Sequence, residues 1–484
     1  MTLFKSHFWA LGLAALTLPW SCVQAADAPA PGHSAQSAAS DTTDWREAYA
    51  YSLGMQAYVF AFPWNYLSEL RWLWTTQAVN PERTPYAPLN HFWNARQLAD
   101  AQYRDGGTPN NDTLYSIAWL DLKTEPQVLS VPDSGSRYFV MQMASMDSDS
   151  FAYVGTRTTG SKANNYLIAG PEWQGEVPKG VQRLPASRTN SALIIGRTLV
   201  DGPDDLPAVH KLQDQYRLTP LSQWGKAQPQ ARAVSEVEKP LDRQTDPLNE
   251  WRNINRALAE NPPQSRFAPL LSQFATVGVG PGLDVGALDA ATQRGLARAA
   301  VDARVMLKGA LRDGYGRTKQ NGWAAPPEFF GRLGLHDNLL GRAAIQSLGG
   351  IVANEIEEAS YISTRTDSSG QMLDGSTKRY TLHFNAQQLP DVQAFWSMSI
   401  YDMTYNFVAN PIDRFSIGNR TAGIKKDADG GVTIYLQADE PGDEQRSNWL
   451  PIPRGPFYST FRAYIPGPSI IERKWFPPGI AEVR

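Results

Sequence analysis

Short runs of aromatic and β-branched residues, each cut off by a turn cluster, constrain this 484-residue chain more than any other feature. They are clearest in residues 395–484. Residues 395–401 alternate bulky and small side chains, 431–437 follow a turn at Asp427, Asp429 and Gly430, and 459–465 stop at Pro466, Gly467 and Pro468. Period-two patterning bounded by Gly, Pro, Asn and Asp marks antiparallel strands joined by tight turns. No nucleophile elbow, phosphate loop or zinc-ligand spacing occurs in this stretch. The sequence therefore speaks to architecture and compartment before it speaks to reaction.

Earlier in the chain the same texture recurs. Strands are expected at 113–122, 127–131, 137–144, 151–156, 165–170, 181–184 and 192–199, and again from 378–384 onward. Several short strands at this spacing argue for a sandwich or barrel. Helices are expected at 44–74, 204–217, 267–274, 287–311 and 341–361 from their apolar periodicity. Pro63 should end or kink the first. Its aromatic residues between Tyr58 and Trp74 should pack on a sheet, and Arg298, Asp302 and Arg304 should face water. The fold class is α+β, mainly β: two jelly-roll-like antiparallel β-sandwich domains with helical N-terminal and connecting segments. The division reads as a signal peptide at 1–25, a flexible leader at 26–43 and N-terminal helices plus a first β domain at 44–220. A polar linker and helical connector then covers 221–340, and a helix plus second β domain covers 341–484.

The first 25 residues read as a secretory signal: Lys5, an apolar core over residues 8–20, and Val23, Gln24, Ala25 before Ala26. That core is shorter than the ~20 residues of a membrane span. Residues 26–43 are rich in Ala, Ser and Pro, too polar to offset the entropy of ordering. Cys22 is the sole cysteine, and Pro19, Trp20 and Ser21 before it are a poor lipidation pattern. Cleavage after Ala25 leaves a chain with no disulfide and no thiol chemistry, which suits the periplasm. A net charge of −3 gives no basic face for nucleic acid.

One internal echo stands out. Gly155, Arg157, Thr158 and Gly160 share the pattern G-x-R-T-x-G with Gly418, Arg420, Thr421 and Gly423. Each copy follows strands that contain an aspartate and precedes another β run, as two related β domains would. The glycines allow a tight corner and the arginines can tie loop carbonyls together.

Two blocks resemble known families. Residues 109–116 (PNNDTLYS), with GTRTTG and the later LQDQYRLTPL, look like the domain of unknown function 1254. The stretch from about Ala344 through NEIEEASY, LDGS, YTLHF, NPIDRFSIGNRTAG, SNWLPIPRGPF and WFPP looks like the domain of unknown function 1214. The resemblance covers most of residues 50–480. It implies two jelly-roll-like domains and self-association into a homo-oligomer, and it brings no agreed activity and no catalytic residues.

Candidate chemistry follows from residue type. Asn110, Asn111, Asp112 and Tyr115 sit at a strand entry, where amides can bind ligand hydroxyls and Asp112 can act as a base. The same residues equally suit an Asx-turn. Arg157 joins this group as a ligand-binding candidate. In the second β domain Asp402, Tyr405 and Asn406 end a strand, with Arg414 near. Asn448 beside Trp449 suits a ring-shaped ligand, and Asp402 stands with Asp112 and Tyr115 as a catalytic candidate. The five histidines outside the signal offer no paired ligand spacing, so no metal and no cofactor is expected. Three functions are open: an exported protein binding a small organic or carbohydrate-like ligand, a metal-independent hydrolase or lyase using Asp, Tyr and Arg, and an assembly protein.

Overall fold

Two β sandwiches are built on one plan. The computed structural model describes residues 44–77, 84–104, 107–226 and 236–483; the expected signal and leader lie outside the described residues. In the first unit one sheet runs β1 (Trp93–Asn94), β2 (Thr113–Asp121), β8 (Ser191–Leu199), β4 (Phe139–Ser145), β5 (Ser150–Gly155). Its second sheet runs β7 (Gln182–Arg183), β6 (Asn164–Ile168), β3 (Gln127–Val131), β9 (Arg217–Pro220). In the second unit β10 (Thr318–Gln320) leads the order β11 (Trp323–Ala325), β12 (Ala359–Thr364), β18 (Phe457–Pro466), β14 (Val392–Asp402), β15 (Ser416–Gly418). The facing sheet is β17 (Trp449–Pro451), β16 (Val432–Gln437), β13 (Arg379–Phe384), β19 (Ala481–Val483).

Every strand of the first unit thus has a counterpart ten numbers on, with the same neighbours. The parallel pairs β6 with β7 and β16 with β17 are repeated as well. Alternation supplies the interiors. Leu129, Met141, Met143 and Ile194 fill the first sandwich, and Leu382, Met398, Ile434 and Phe461 the second.

The G-x-R-T-x-G loops close the same corner in both units. Gly155 pairs with Val140 and Gly418 with Ser397. A Cβ on Gly155 would lie 2.3 Å from the Phe139 carbonyl oxygen, and one on Gly418 2.0 Å from that of Trp396, so only glycine fits. The following side chain caps the adjacent strand: Phe139 N donates to Thr156 Oγ1 at 3.1 Å, and Trp396 N to Asn419 Oδ1 at 3.0 Å. The two glycine amides donate to the hydroxyls of Thr159 and Thr421, at 3.0 and 2.9 Å.

Helices fill the space beside the first unit. Helix α1 (Trp45–Thr76) is capped by Asp44, whose side chain accepts from Arg46 N. It runs on through Pro63 rather than ending there. Phe60 and Trp64 are buried around the proline, and buried Arg342 donates to the Phe60 carbonyl at 2.5 Å. Helix α2 (Leu206–Gln213) follows β8, as the shorter α7 (Pro468–Ile471) follows β18. Helix α5 (Ala290–Asp313) begins at the Asp289 cap, ends at left-handed Gly314 and lies along α1. Its polar residues do not simply face water: Tyr51 donates to Asp302 at 3.0 Å, and Arg304 donates to Glu250 at 2.8 Å. Helix α4 (Ala268–Ala275) covers Phe60.

Helix α3 (Asn249–Glu260) occupies the stretch that reads as polar linker. The pattern hides it because buried Asn249, Glu250, Asn253 and Asn255 are interleaved with its apolar positions Trp251, Ile254, Ala257 and Leu258. Glu250 is buried and accepts from Tyr58 Oη at 2.9 Å and Asn65 Nδ2 at 2.8 Å, beside buried Trp251. The helix expected over 341–361 is a single turn, α6 (Leu339–Gly341), running into a π-helix, Arg342–Leu348. Glu355, Glu357 and Glu358 then lie in the turn before β12.

Candidate functional site between the two β units

Side chains that alternate with the core positions point out of each sandwich, and the two sheets present them to each other. Tyr138, Val140, Tyr153 and Leu199 of the first unit pack on Ala359, Phe395, Tyr464 and Ile465 of the second. Phe395 stacks on Tyr464 with centroids 4.1 Å apart, and Tyr138 meets both edge-on.

The repeat places one arginine at the centre of each opposed sheet. Arg197 on β8 lies opposite Tyr115 on β2 and Val140 on β4. Arg462 on β18 lies opposite Tyr361 on β12 and Ser397 on β14. Each reaches across to the segment leading into the other unit's strand. Arg462 donates to the carbonyl of Thr108 at 2.8 Å, to Tyr401 Oη at 2.7 Å and to Ser399 Oγ at 2.9 Å. Arg197 Nη1 donates to Gln142 Oε1 at 3.1 Å and to Asn354 Oδ1 at 3.4 Å.

The loop arginines also cross over. Arg157 Nε donates to Glu358 Oε2 at 2.6 Å, and Tyr138 Oη to Glu358 Oε1 at 2.8 Å. In the other direction Arg420 pairs with Asp201 and donates to the Val200 carbonyl.

Arg197, like Arg462 and unlike the two loop arginines, is in no ion pair among the described residues, and it differs from Arg462 in donating from one nitrogen only. It is 8% exposed, and no carboxylate among the described residues lies within ion-pair distance. Its three hydrogen bonds all leave from Nη1. Nε and Nη2 make no hydrogen bond. The Tyr115 ring lies under the guanidinium, 5.6 Å from its centroid. Burial works against the charge, but the phenols of Tyr361, Tyr115, Tyr138 and Tyr464 hold its pKa above the ordinary guanidinium value. Tyr115 and Tyr361, on either side of it, are both half-buried.

The first group of sequence candidates comes together here. Asn110 Nδ2 donates to Tyr464 Oη, while Asn110 Oδ1 accepts from Asp112 N at 2.5 Å, closing an Asx-turn. Asp112 reaches the second unit, accepting from Ser397 Oγ at 2.6 Å and Ser416 Oγ at 3.4 Å. Burial raises its pKa, against the pull of those hydroxyls and of Arg462 and Arg420. Asn111 is half-buried and its Oδ1 has no partner. Arg157 lies at the same face, in its ion pair with Glu358.

The second group lies elsewhere and is occupied locally. Asp402 Oδ1 accepts from Thr404 N, Thr404 Oγ1 and Asn406 N, shaping a turn. Tyr405 Oη accepts from Arg365, and its backbone is left-handed at φ 66°. Asn448 bonds Lys425 N, Lys425 O and Thr433 O. Trp449 is fully buried with its indole N–H on Gln437 O, so its ring offers no face to a guest. Arg414 ties this loop by donating to the carbonyls of Ser447 and Trp449.

A second ionic cluster joins the first unit to the π-helix. Asp147 takes a two-point contact from Arg188, at 2.7 and 2.8 Å. Asp149 accepts from Gly334 N at 3.0 Å and Gln346 Nε2 at 2.8 Å. Burial alone would raise Asp147, but Arg188 holds it below the usual carboxylate range. Burial, and then the charge of Asp147, push Asp149 up to about 6. Among the described residues no group of three or more His, Cys, Asp or Glu is placed to hold a metal ion.

Fold and site together define an α+β protein in which two repeated β sandwiches dock through polar, arginine-centred sheets beside a helical layer. Residues 89–220 match the family described as Protein of unknown function (DUF1254), and residues 358–468 match Protein of unknown function (DUF1214). The chain belongs to the two-domain DUF1254/DUF1214 proteins. The crystal structure of the VPA0106 protein from Vibrio parahaemolyticus is similar: 26% identity, TM-score 0.68, covering 90% of this chain and 100% of that one. An uncharacterized protein from Burkholderia cenocepacia aligns at 13% identity and TM-score 0.42, over 92% of this chain and 94% of its own. No curated protein matches the chain.

Proposed function

We propose that the chain is an exported binding protein for a small organic molecule bearing a carboxylate, held by Arg197 between Tyr115 and Tyr361. One observation carries this reading: a buried arginine has two uncommitted nitrogens and no carboxylate partner. A charge left unpaired in a buried site costs several kcal/mol. A ligand carboxylate would relieve that cost through two parallel N–H···O bonds, and the two phenol rings would cover its organic part.

The test is a calorimetric titration of the purified chain with small aliphatic and aromatic carboxylates. Saturable binding is expected, with a rise in melting temperature, since the ligand binds only the folded state. Arg197→Met should abolish it. Without ligand, Arg197→Met should be neutral or stabilising, because an apolar side chain replaces an unpaired charge. A loss of about 3 kcal/mol or more would instead make Arg197 structural and end the proposal.

A hydrolase or lyase reading draws on the same face. Burial raises Asp112, and it pushes Glu355 up to about 6, which leaves Glu355 able to hold a proton near neutrality. Turnover of a bound ester, lost in Asp112→Asn while binding persists, would favour it. Export and self-association complete the proposal, and no helix among the described residues is long and apolar enough to cross a membrane. N-terminal sequencing of the periplasmic fraction and light scattering test these two points.

A further inference from the structure

A second concavity lies away from the β–β face. A cavity of about 250 Å³ opens between α1, α3 and the turns at the end of β2 and the start of β8. Water occupies about 30 Å³ per molecule in the liquid, so this space would hold roughly eight waters or one sugar-sized molecule. Most of its charged lining is paired, and the two groups in no ion pair among the described residues, Lys123 and Glu236, carry opposite charges. Arg71, 5% exposed, donates to Glu260 at 2.5 Å and to Ser191 Oγ. Arg256 donates to Glu238 at 2.8 Å, and Glu69 accepts from Arg243 at 2.7 Å.

We infer that this cavity binds a neutral, hydroxyl-rich molecule of monosaccharide size. An anion would have to approach Glu69, Glu238 and Glu260, and a cation Arg71 and Arg256, in each case disrupting a formed pair. A polyol needs neither. Paired carboxylates and guanidinium groups keep spare lone pairs and N–H groups at fixed positions, which suits neighbouring hydroxyls. Leu89, Val237 and Ala257 supply an apolar patch for the C–H face of a ring. This site is independent of Arg197 and of the carboxylate reading.

The experiment uses the purified chain with neutral hexoses, pentoses and linear polyols, with small carboxylates and amines as comparison probes. Melting temperature and titration heats are the readouts. At least one neutral polyol should bind saturably and raise the melting temperature. Ser68→Leu, which fills the space, should weaken it at least tenfold, about 1.4 kcal/mol. Arg197→Met should leave it unchanged. If Ser68→Leu does not fold, Lys123→Ala at the exposed rim should still weaken the same ligand. The inference fails if no polyol binds at millimolar concentration, if binding survives Ser68→Leu in a folded variant, or if Arg197→Met removes it.

Discussion

Asp147 and Asp149 show how two carboxylates two residues apart acquire opposite characters. Both are buried. Asp147 receives the Arg188 guanidinium, whereas Asp149 receives an amide N–H, a neutral side-chain amide and the repulsion of Asp147. The folded-state pKa of Asp149, about 6, stands above its ordinary value of 3.8. The folded chain therefore binds more protons between those values, and stability from this group is present at low pH and lost as pH rises through 6. The shift corresponds to about 3 kcal/mol. Asp147 has the reverse sign: its contribution is present at neutral pH and lost on acidification. Urea melts at pH 5 and pH 8 should show Asp149→Asn gaining on the parent as pH rises. Asp147→Asn should cost about 3–5 kcal/mol at pH 8, because it leaves Arg188 buried without its anion. If the two variants behave alike, the assignment is wrong. Glu355 titrates in the same window and is common to parent and variants, so the comparison isolates Asp149.

At the scale of elements, what the sequence shows depends on whether a constraint is local. The G-x-R-T-x-G echo is legible because each loop needs a glycine against a carbonyl and a hydroxyl to cap it, all within six residues. Most strands are legible for the same reason, since alternation and turn residues are short-range. The correspondence of Arg197 with Arg462 and of Tyr115 with Tyr361 is not, because each pair is defined by cross-strand register between segments some eighty to a hundred residues apart. Asn110, Asp112, Tyr115 and Arg157 could be singled out by type, but nothing local announces that they meet a second sheet. Helix α3 hides because buried polar residues interrupt its apolar positions. The echo also predicts an asymmetry. Arg157 faces Glu358, whose side chain is fully buried, while Arg420 faces Asp201, whose side chain is 62% exposed. Arg157→Ala should therefore cost about 3–5 kcal/mol by stranding a buried carboxylate. Arg420→Ala should cost about 1 kcal/mol or less at this exposed pair. Equal losses in chemical denaturation would mean that the two loops are equivalent in energy as well as in shape.

For the whole molecule the question is whether the β units can stand alone. The largest core argues that they cannot. It gathers Ala57 and Phe60 from α1, Trp251 and Ile254 from α3, Leu296 and Ala303 from α5, Ile345 from the π-helix and Ile117, Trp119 and Leu193 from the first sheet. The helices that close the first sheet thus come from both sides of it in the chain. Cutting between the units would expose this apolar surface, about 25 cal/mol per Å² of it, and would leave Glu358 and Asp112 without their cross-unit partners. Residues 44–226 expressed alone should lack α3, α5 and the π-helix, and should show far-UV circular dichroism without a native near-UV signal. The full chain should unfold in one step, with tryptophan fluorescence and far-UV circular dichroism tracing the same urea curve. Two separated transitions, or a natively packed 44–226 fragment, would show that the arginine-centred face is a contact between independent domains. In that case a ligand at Arg197 would modulate their docking instead of binding within a single folded body.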